Sequence, residues 1–277
     1  MNFRVNPRAI PFSSGKAVLV LLVLAAGAAQ AAPLDDLRSL AQLPPVELAK
    51  LKSGEIVSQR GPLGDFSRGI SVESCYFIHA PVEKVGNGLL HWDPLRHPGS
   101  DVRLYREYAL PGTAGVFKKL QLRRGVADDK WLLDQTARAA QTGAAGELHL
   151  TKEEVDSVRQ KAATPDEAWQ EIFGRRSAAL ARGGLAAVPP YGLDKSISPW
   201  SEFRGLLSLA PKAAQHFRPI TTARPLVAGG KPASETVAYW EATRVRDHTT
   251  LELGLFAAEF VAIGIALAAA LMLLSRH

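Results

Sequence analysis

The chain predicts an α+β fold, with an antiparallel sheet built from N-terminal and C-terminal strands, a central helical insertion, and a C-terminal apolar helix. Three observations carry this expectation. Segments with two-residue alternation of apolar and polar side chains fall in 55–125 and again in 236–256. Helix start and stop signals crowd into the stretch of about 128–218 between them. Residues 260–274, FVAIGIALAAALMLL, then run without a charge almost to the end.

The N-terminal segment reads as a secretory signal peptide over 1–31. A basic arm with Arg4, Arg8 and Lys16 precedes the apolar run AVLVLLVLAA (17–26), and Ala29-Gln30-Ala31 supplies an A-x-A cleavage pattern. The run is short of the roughly 20 residues a membrane span needs. An uncleaved N-terminal anchor is the alternative. Residues 32–256 then form the exported α+β domain.

Within that domain, Pro45 opens a short helix through 54, and Glu55–Gln59 forms a strand before a Gly-rich turn at 61–69. Residues 70–79, ISVESCYFIH, alternate as a strand with Ile70, Val72, Tyr76 and Ile78 on one face. Pro81 begins a helix whose Val82, Val85 and Leu89 share a side. Strands are expected at Val102–Ala109 and Val116–Arg123.

The helical block opens with Lys130–Ala140. Thr151 and Glu154 have capping-box spacing, in which each side chain takes a backbone N–H of the other residue. Thr164-Pro165 repeats the start signal with Pro at N1, and Gly183-Gly184 closes that helix. Trp169, Ile172, Phe173 and Leu180 give it a core face. Ser198-Pro199 starts another helix, bearing Phe203, Leu206 and Leu207, and Pro211 starts a last one through Phe217. After a Pro/Gly-rich crossover (219–232), Thr236–Val245 and Thr249–Phe256 make a hairpin across Arg246-Asp247-His248.

The last element, 257–274, reads as a transmembrane helix, because a helix that is apolar all round belongs in lipid or a large core. Its fifteen uncharged residues would cover roughly 22 Å at 1.5 Å per residue, and extension to Leu255 brings in Glu259 near one end. Arg276 beyond it agrees with the positive-inside rule for an exported domain. A buried closing helix and a gene-model artefact are the alternatives.

Composition bounds the chemistry. Net charge is +6, and removal of Arg4, Arg8 and Lys16 with the signal peptide lowers it to +3. That is too mild for a nucleic-acid footprint, so no nucleic-acid partner is expected. Cys75 is the only cysteine, which excludes an intramolecular disulfide and a CxxC centre.

The densest polar constellation is His91-Trp92-Asp93-Pro94-Leu95-Arg96-His97. His91, Asp93 and His97 are the weak catalytic candidates. A shared metal would need a turn that converges them, and no HExxH supports one. Pinning a surface loop is the simpler role. Cys75 and His79 lie about 13 Å apart in an extended strand, too far for a dyad. Gly86-Asn87-Gly88 precedes no nucleotide-binding unit, and Asp128-Asp129 suit a helix start.

One segment carries a resemblance. Ala80-Pro81-Val82-Glu83-Lys84-Val85, followed by Trp92 and Pro94 within 69–108, is similar to the opening of a START-like (SRPBCC, helix-grip) domain. The resemblance covers about forty residues and implies binding of a hydrophobic small molecule or lipid. The helices of 128–218 stand where that family's consecutive strands run. No residue matches a catalytic pattern of the family, so no cofactor is expected.

The expectation is therefore a membrane-tethered exported domain, non-enzymatic, binding an apolar ligand or lipid whose contact residues are not named by the sequence. A hydrolase or metal-dependent enzyme using His91, Asp93 and His97 is one alternative. A structural envelope protein is the other.

Overall fold

The computed structural model describes residues 17–25, 49–51, 53–60, 70–78, 80–81, 84–85, 87–88, 91–191, 198–209, 227–228, 231–232, 235–261 and 265–274. The cleavage pattern at 29–31, the turn at 61–69, Val82, His79, Leu89, the helix expected over 211–217 and most of the 219–232 crossover lie outside the described residues.

The structure is α+β. The helical block contains α1 (Ala114–Phe117), α2 (Ala127–Thr142), α3 (Lys152–Gln160), α4 (Pro165–Gly183) and α5 (Pro199–Leu209). Helix α2 ends where Gly143 turns left-handed at φ 70° and returns its N–H to the Ala139 carbonyl, a conformation that favours a residue without Cβ. Helix α3 begins with the expected capping box: Thr151 Oγ1 accepts from Glu154 N, and Glu154 Oε2 accepts from Thr151 N at 2.8 Å. Thr164 departs from that pattern. It makes no side-chain bond to the α4 backbone, and its hydroxyl donates to Glu167 Oε2 instead.

Strands are β1 (Ala17–Ala25), β2 (Val57–Arg60), β3 (Ile70–Ile78), β4 (Val102–Tyr108), β5 (Val227–Ala228), β6 (Lys231–Pro232), β7 (Glu235–Val245), β8 (His248–Val261) and β9 (Ile265–Leu274). The main sheet has the order β2-β3-β1-β9-β8-β7-β4, and β5 pairs only with β6. All neighbours in the main sheet are antiparallel except β1 and β3. Distant parts of the chain meet at β4, which pairs with β7 from Val102↔Thr243 to Tyr108↔Ala238. Strands β7 and β8 join through Arg246-Asp247 alone, since Val245 pairs with His248, and Arg246 takes φ 57°.

Two expectations are corrected. The described residues of the tail form no helix: 257–261 complete β8 and 265–274 make β9, which pair from Val261↔Ile265 to Glu252↔Leu274. Among the described residues no helix is long and apolar enough to cross a membrane. A continuous apolar run has no period, so it suits a strand within a sheet as well as an all-apolar helix. The same reasoning applies to the apolar run after Lys16, which is β1 in the uncut chain.

The second correction is the strand expected at Val116–Arg123. Its alternation is incidental, because its backbone is claimed by helix side chains. Leu122 N donates to Asp166 Oδ1 and Arg123 N to Asp129 Oδ2, both at 2.8 Å, while Gln170 Nε2 donates to the Leu120 carbonyl. Phe117, Leu120 and Leu122 still point inward. A peptide segment satisfied this way needs no strand partner.

One core joins the helices to one face of β4, β7 and β8. Trp169, Ile172, Phe173, Leu132 and Val158 from the helices meet Ala238, Trp240, Ala242, Leu251 and Leu253 from the sheet. The buried indoles are both satisfied: Trp169 Nε1 donates to Thr136 Oγ1 and Trp240 Nε1 to the Val116 carbonyl. Asp129, wholly buried, ties the layers together by accepting from Arg103 Nη2, Arg123 N and Thr249 Oγ1.

Candidate functional site

The other face of the same three strands is built quite differently. Two-residue alternation that sends Ala238, Trp240, Ala242, Leu251 and Leu253 into the core sends Tyr239, Glu241 and Thr243 of β7 and Thr250, Glu252 and Gly254 of β8 to the opposite side. Tyr105 and Glu107 of β4 join them, with Tyr105 directly across from Glu241. Glu241 is in turn directly across from Glu252. Two carboxyl groups thus face each other in the interior, where like charges side by side are unfavourable.

Burial makes this pair unusual. Glu241 is 8% exposed and Glu252 5%. Thr243 Oγ1 donates to Glu241 Oε1 at 3.1 Å. Burial pushes Glu241 up to about 7 against the stabilising Thr243 bond. Glu252 is raised well above the usual carboxylate range, first by burial and then by the charge of Glu241. Burial therefore makes both carboxyls hold their protons to higher pH than an ordinary glutamate does. Glu252 Oε2 and Thr250 Oγ1 are buried without a hydrogen-bond partner. Such groups ordinarily cost about 1–3 kcal/mol each.

Tyrosines flank the carboxyls. The Tyr105 and Tyr239 rings lie 5.5 Å apart at 34°. Tyr105 donates to Glu107 Oε1 at 3.1 Å, and burial followed by the Glu107 charge raises its phenol far above the ordinary value. Tyr239 is raised too, by burial and then by Glu241 and Glu252. Its ring lies across Gly254, its partner in the adjacent strand, where any Cβ would overlap the ring. Glycine at 254 is what lets Tyr239 lie flat beside the carboxyls.

The sequence-derived candidates border this face and do not form a site of their own. Asp93 caps the 3-10 turn Pro94–Arg96 by accepting from Leu95 N at 3.0 Å, and its other oxygen pairs with Arg96 at 3.2 Å. His97 stacks on Trp92 with ring centroids 4.9 Å apart. His91, largely exposed, comes within 3.9 Å of Glu107 Oε2. Asp93, His91 and His97 thus each have a separate local partner. Among the described residues no group of three His, Cys, Asp or Glu side chains could hold a metal ion. The loop does reach the acidic face, through His91 to Glu107 and through the charge of Asp93 on Tyr105.

Sequence reasoning missed Glu241, Glu252 and Gly254. One signal was present: ETVAYWEATRV and HTTLELG place a glutamate within each strand of a hairpin. Only the strand register shows that the two glutamates are opposite. Asp129 does stand in the first turn of α2, as its place in the sequence implied, but nothing there signalled that it is fully buried.

No protein-family model matches the chain, and no curated protein and no solved structure matches it. The reading of the site rests on its chemistry alone.

The carboxyl pair gives a pH signature. A carboxyl raised in the folded state stabilises the fold fully below its unfolded value, 4.5 for Glu241, and loses that contribution as pH rises through about 7. Glu252 extends the loss to higher pH in the same direction. Tyr105, Glu107, Tyr239 and Asp93 are the other titratable groups facing the pair, and the tyrosines remain neutral across this window. The urea midpoint should fall between about pH 4.5 and about pH 7, and the double variant Glu241→Gln/Glu252→Gln should flatten that fall. An equal slope in the variant would place the titration elsewhere.

Proposed function

We propose that the protein is an exported, non-enzymatic domain that binds a small apolar or lipid-like ligand against the tyrosine and glutamate face of β4, β7 and β8. The observation that carries this reading is the contrast between the two faces of one strand set. One face closes the core with the helices, and the other buries two glutamates and leaves polar atoms unmatched. Folding alone gains nothing from unmatched buried polar atoms, whereas binding sites regularly hold perturbed groups in place. The half-exposed Trp92 and Leu95 beside this face supply apolar surface. The START-like segment at 69–108 supports the same ligand class.

Export rests on the basic arm, the apolar run and Ala29-Gln30-Ala31. Cleavage after Ala31 would remove β1 and leave β9-β8-β7-β4, and with it the candidate site, as a continuous antiparallel unit. Membrane association, argued from the uncharged run 260–274, belongs to the same proposal without the helix once expected there.

Two measurements test the proposal. Solvent extracts of protein purified from the exported fraction, analysed by mass spectrometry, should contain an apolar small molecule in about stoichiometric amount. N-terminal sequencing of that protein should begin at Ala32. Protein that is free of ligand and binds no apolar probe would overturn the binding reading, and retention of residues 1–31 in the cytoplasm would overturn export.

A further inference from the structure

The buried pair has a composition that names the polar end of its ligand. One sheet face carries the two carboxyls of Glu241 and Glu252, in register across β7 and β8, and Thr250, two residues before Glu252. Thr250 is 5% exposed, and its hydroxyl has no partner, as is true of Glu252 Oε2. Two buried oxygens thus lack a partner, and a carboxyl oxygen of Glu241 on the facing strand would complete three acceptors for a group with three donors. A primary ammonium has three N–H donors and no acceptor. It carries one charge, which matches a carboxyl pair that gives up one proton.

We propose that Glu241, Glu252 and Thr250 form the floor of a site for the ammonium group of an apolar primary amine, with Tyr105 and Tyr239 against its first methylenes. This rests on the ligand-binding reading above and adds the charge of the ligand to it. The two rings stand 5.5 Å apart beside the pair, and an aromatic face next to an ammonium adds cation–π attraction. Strand β4 is the edge of the sheet, and its Tyr105 and Glu107 are only partly buried, so the cluster lies nearest to solvent on that side. Trp92 and Leu95, about half exposed, lie on the loop whose His91 approaches Glu107 and provide apolar contact for a hydrocarbon body. A divalent metal fits less well, since among the described residues no three acidic or imidazole side chains converge on one point.

Binding is coupled to proton release. With the site free, both carboxyls hold protons at mildly acidic pH. When the ammonium enters, Glu241 gives its proton to solvent, Glu252 keeps its own, and the buried charges sum to zero. Above the Glu241 value of about 7 the proton has already gone and the ammonium binds without displacing it.

Calorimetric titration of the full exported chain with octylammonium and with octanol tests the proposal. Octylammonium should bind about tenfold more tightly at about pH 8 than at about pH 6, with roughly one proton released at the lower pH. Octanol should bind more weakly with no such dependence. Glu252→Gln and Thr250→Val should each weaken octylammonium by about tenfold or more while leaving octanol unchanged, which separates loss of the site from loss of the fold. Equal binding of the two probes, or octylammonium binding that ignores pH and both substitutions, would overturn the amine inference and leave the apolar-ligand reading standing. Binding of neither probe by folded protein would overturn both.

Discussion

Replacing Arg176 with alanine is expected to destabilise the domain by about 3–5 kcal/mol, the cost of leaving a buried carboxylate without its partner. Arg176 is 4% exposed and Glu154 also 4%. Its guanidinium grips that carboxylate with Nε donating to Oε1 at 2.8 Å and Nη2 to Oε2 at 2.9 Å. Nη2 also donates to the His149 carbonyl. Glu154 meanwhile accepts from Thr151 N to close the α3 capping box. One arginine on α4 thus holds the start of α3, the loop before it and a buried charge. The pair itself need contribute little, because removing two charges from water offsets much of their attraction. The double variant Glu154→Leu/Arg176→Met should therefore recover a large part of the loss, read as urea midpoints at constant slope. A single variant within about 1 kcal/mol of the parent would mean that Glu154 reaches water.

Trp169→Ala should cost a similar amount, about 3–5 kcal/mol, for a different reason. Trp169 is fully buried in the second turn of α4 and meets Phe173 edge-on at 6.4 Å. Its Nε1 donates to Thr136 Oγ1 at 3.1 Å, and Thr136 in turn donates to the Leu132 carbonyl at 2.6 Å. Truncation opens a cavity between α2 and α4 and removes a donor from a buried hydroxyl. Trp169→Phe keeps most of the volume and loses chiefly the hydrogen bond, so it should fall about 1–2 kcal/mol below the parent. Denaturant unfolding of the two variants separates the contributions. Equal losses would show that the hydrogen bond, and not the volume, dominates.

The neighbouring sheet face should behave in the opposite way. Glutamates 241 and 252 are buried as deeply as Glu154, yet no cation among the described contacts neutralises them. Substituting both with glutamine removes an electrostatic cost at neutral pH, whereas substituting Glu154 removes a bond that holds two helices together. Where a buried acid is matched, it holds the fold together. Where it is unmatched, it marks the surface on which a ligand is proposed.

Local rules in the sequence were enough for α3 and α4. Thr151 and Glu154 have capping-box spacing, Pro165 sits at N1, and Trp169, Ile172, Phe173 and Leu180 recur at helical intervals. These signals act within a turn or two of backbone and depend on no distant partner. The hairpin of β7 and β8 was legible for the same reason, because its strands alternate and only two residues join them.

Tertiary structure decided what local rules leave open. Val116–Arg123 alternates like a strand, but Asp129, Asp166 and Gln170 satisfy its backbone from helices that the alternation cannot reveal. Residues 265–274 and 17–25 are apolar without a period, so their backbone form depends on what they pair with; they pair as strands. The candidate site is the clearest case. Glu241 and Glu252 are eleven positions apart on adjacent strands, and a shift of register by one residue would send one of them to the other face. Sequence determined that each strand carries a glutamate; the hydrogen-bonded register determined that the two meet, because only pairing across strands fixes which side chains share one buried place.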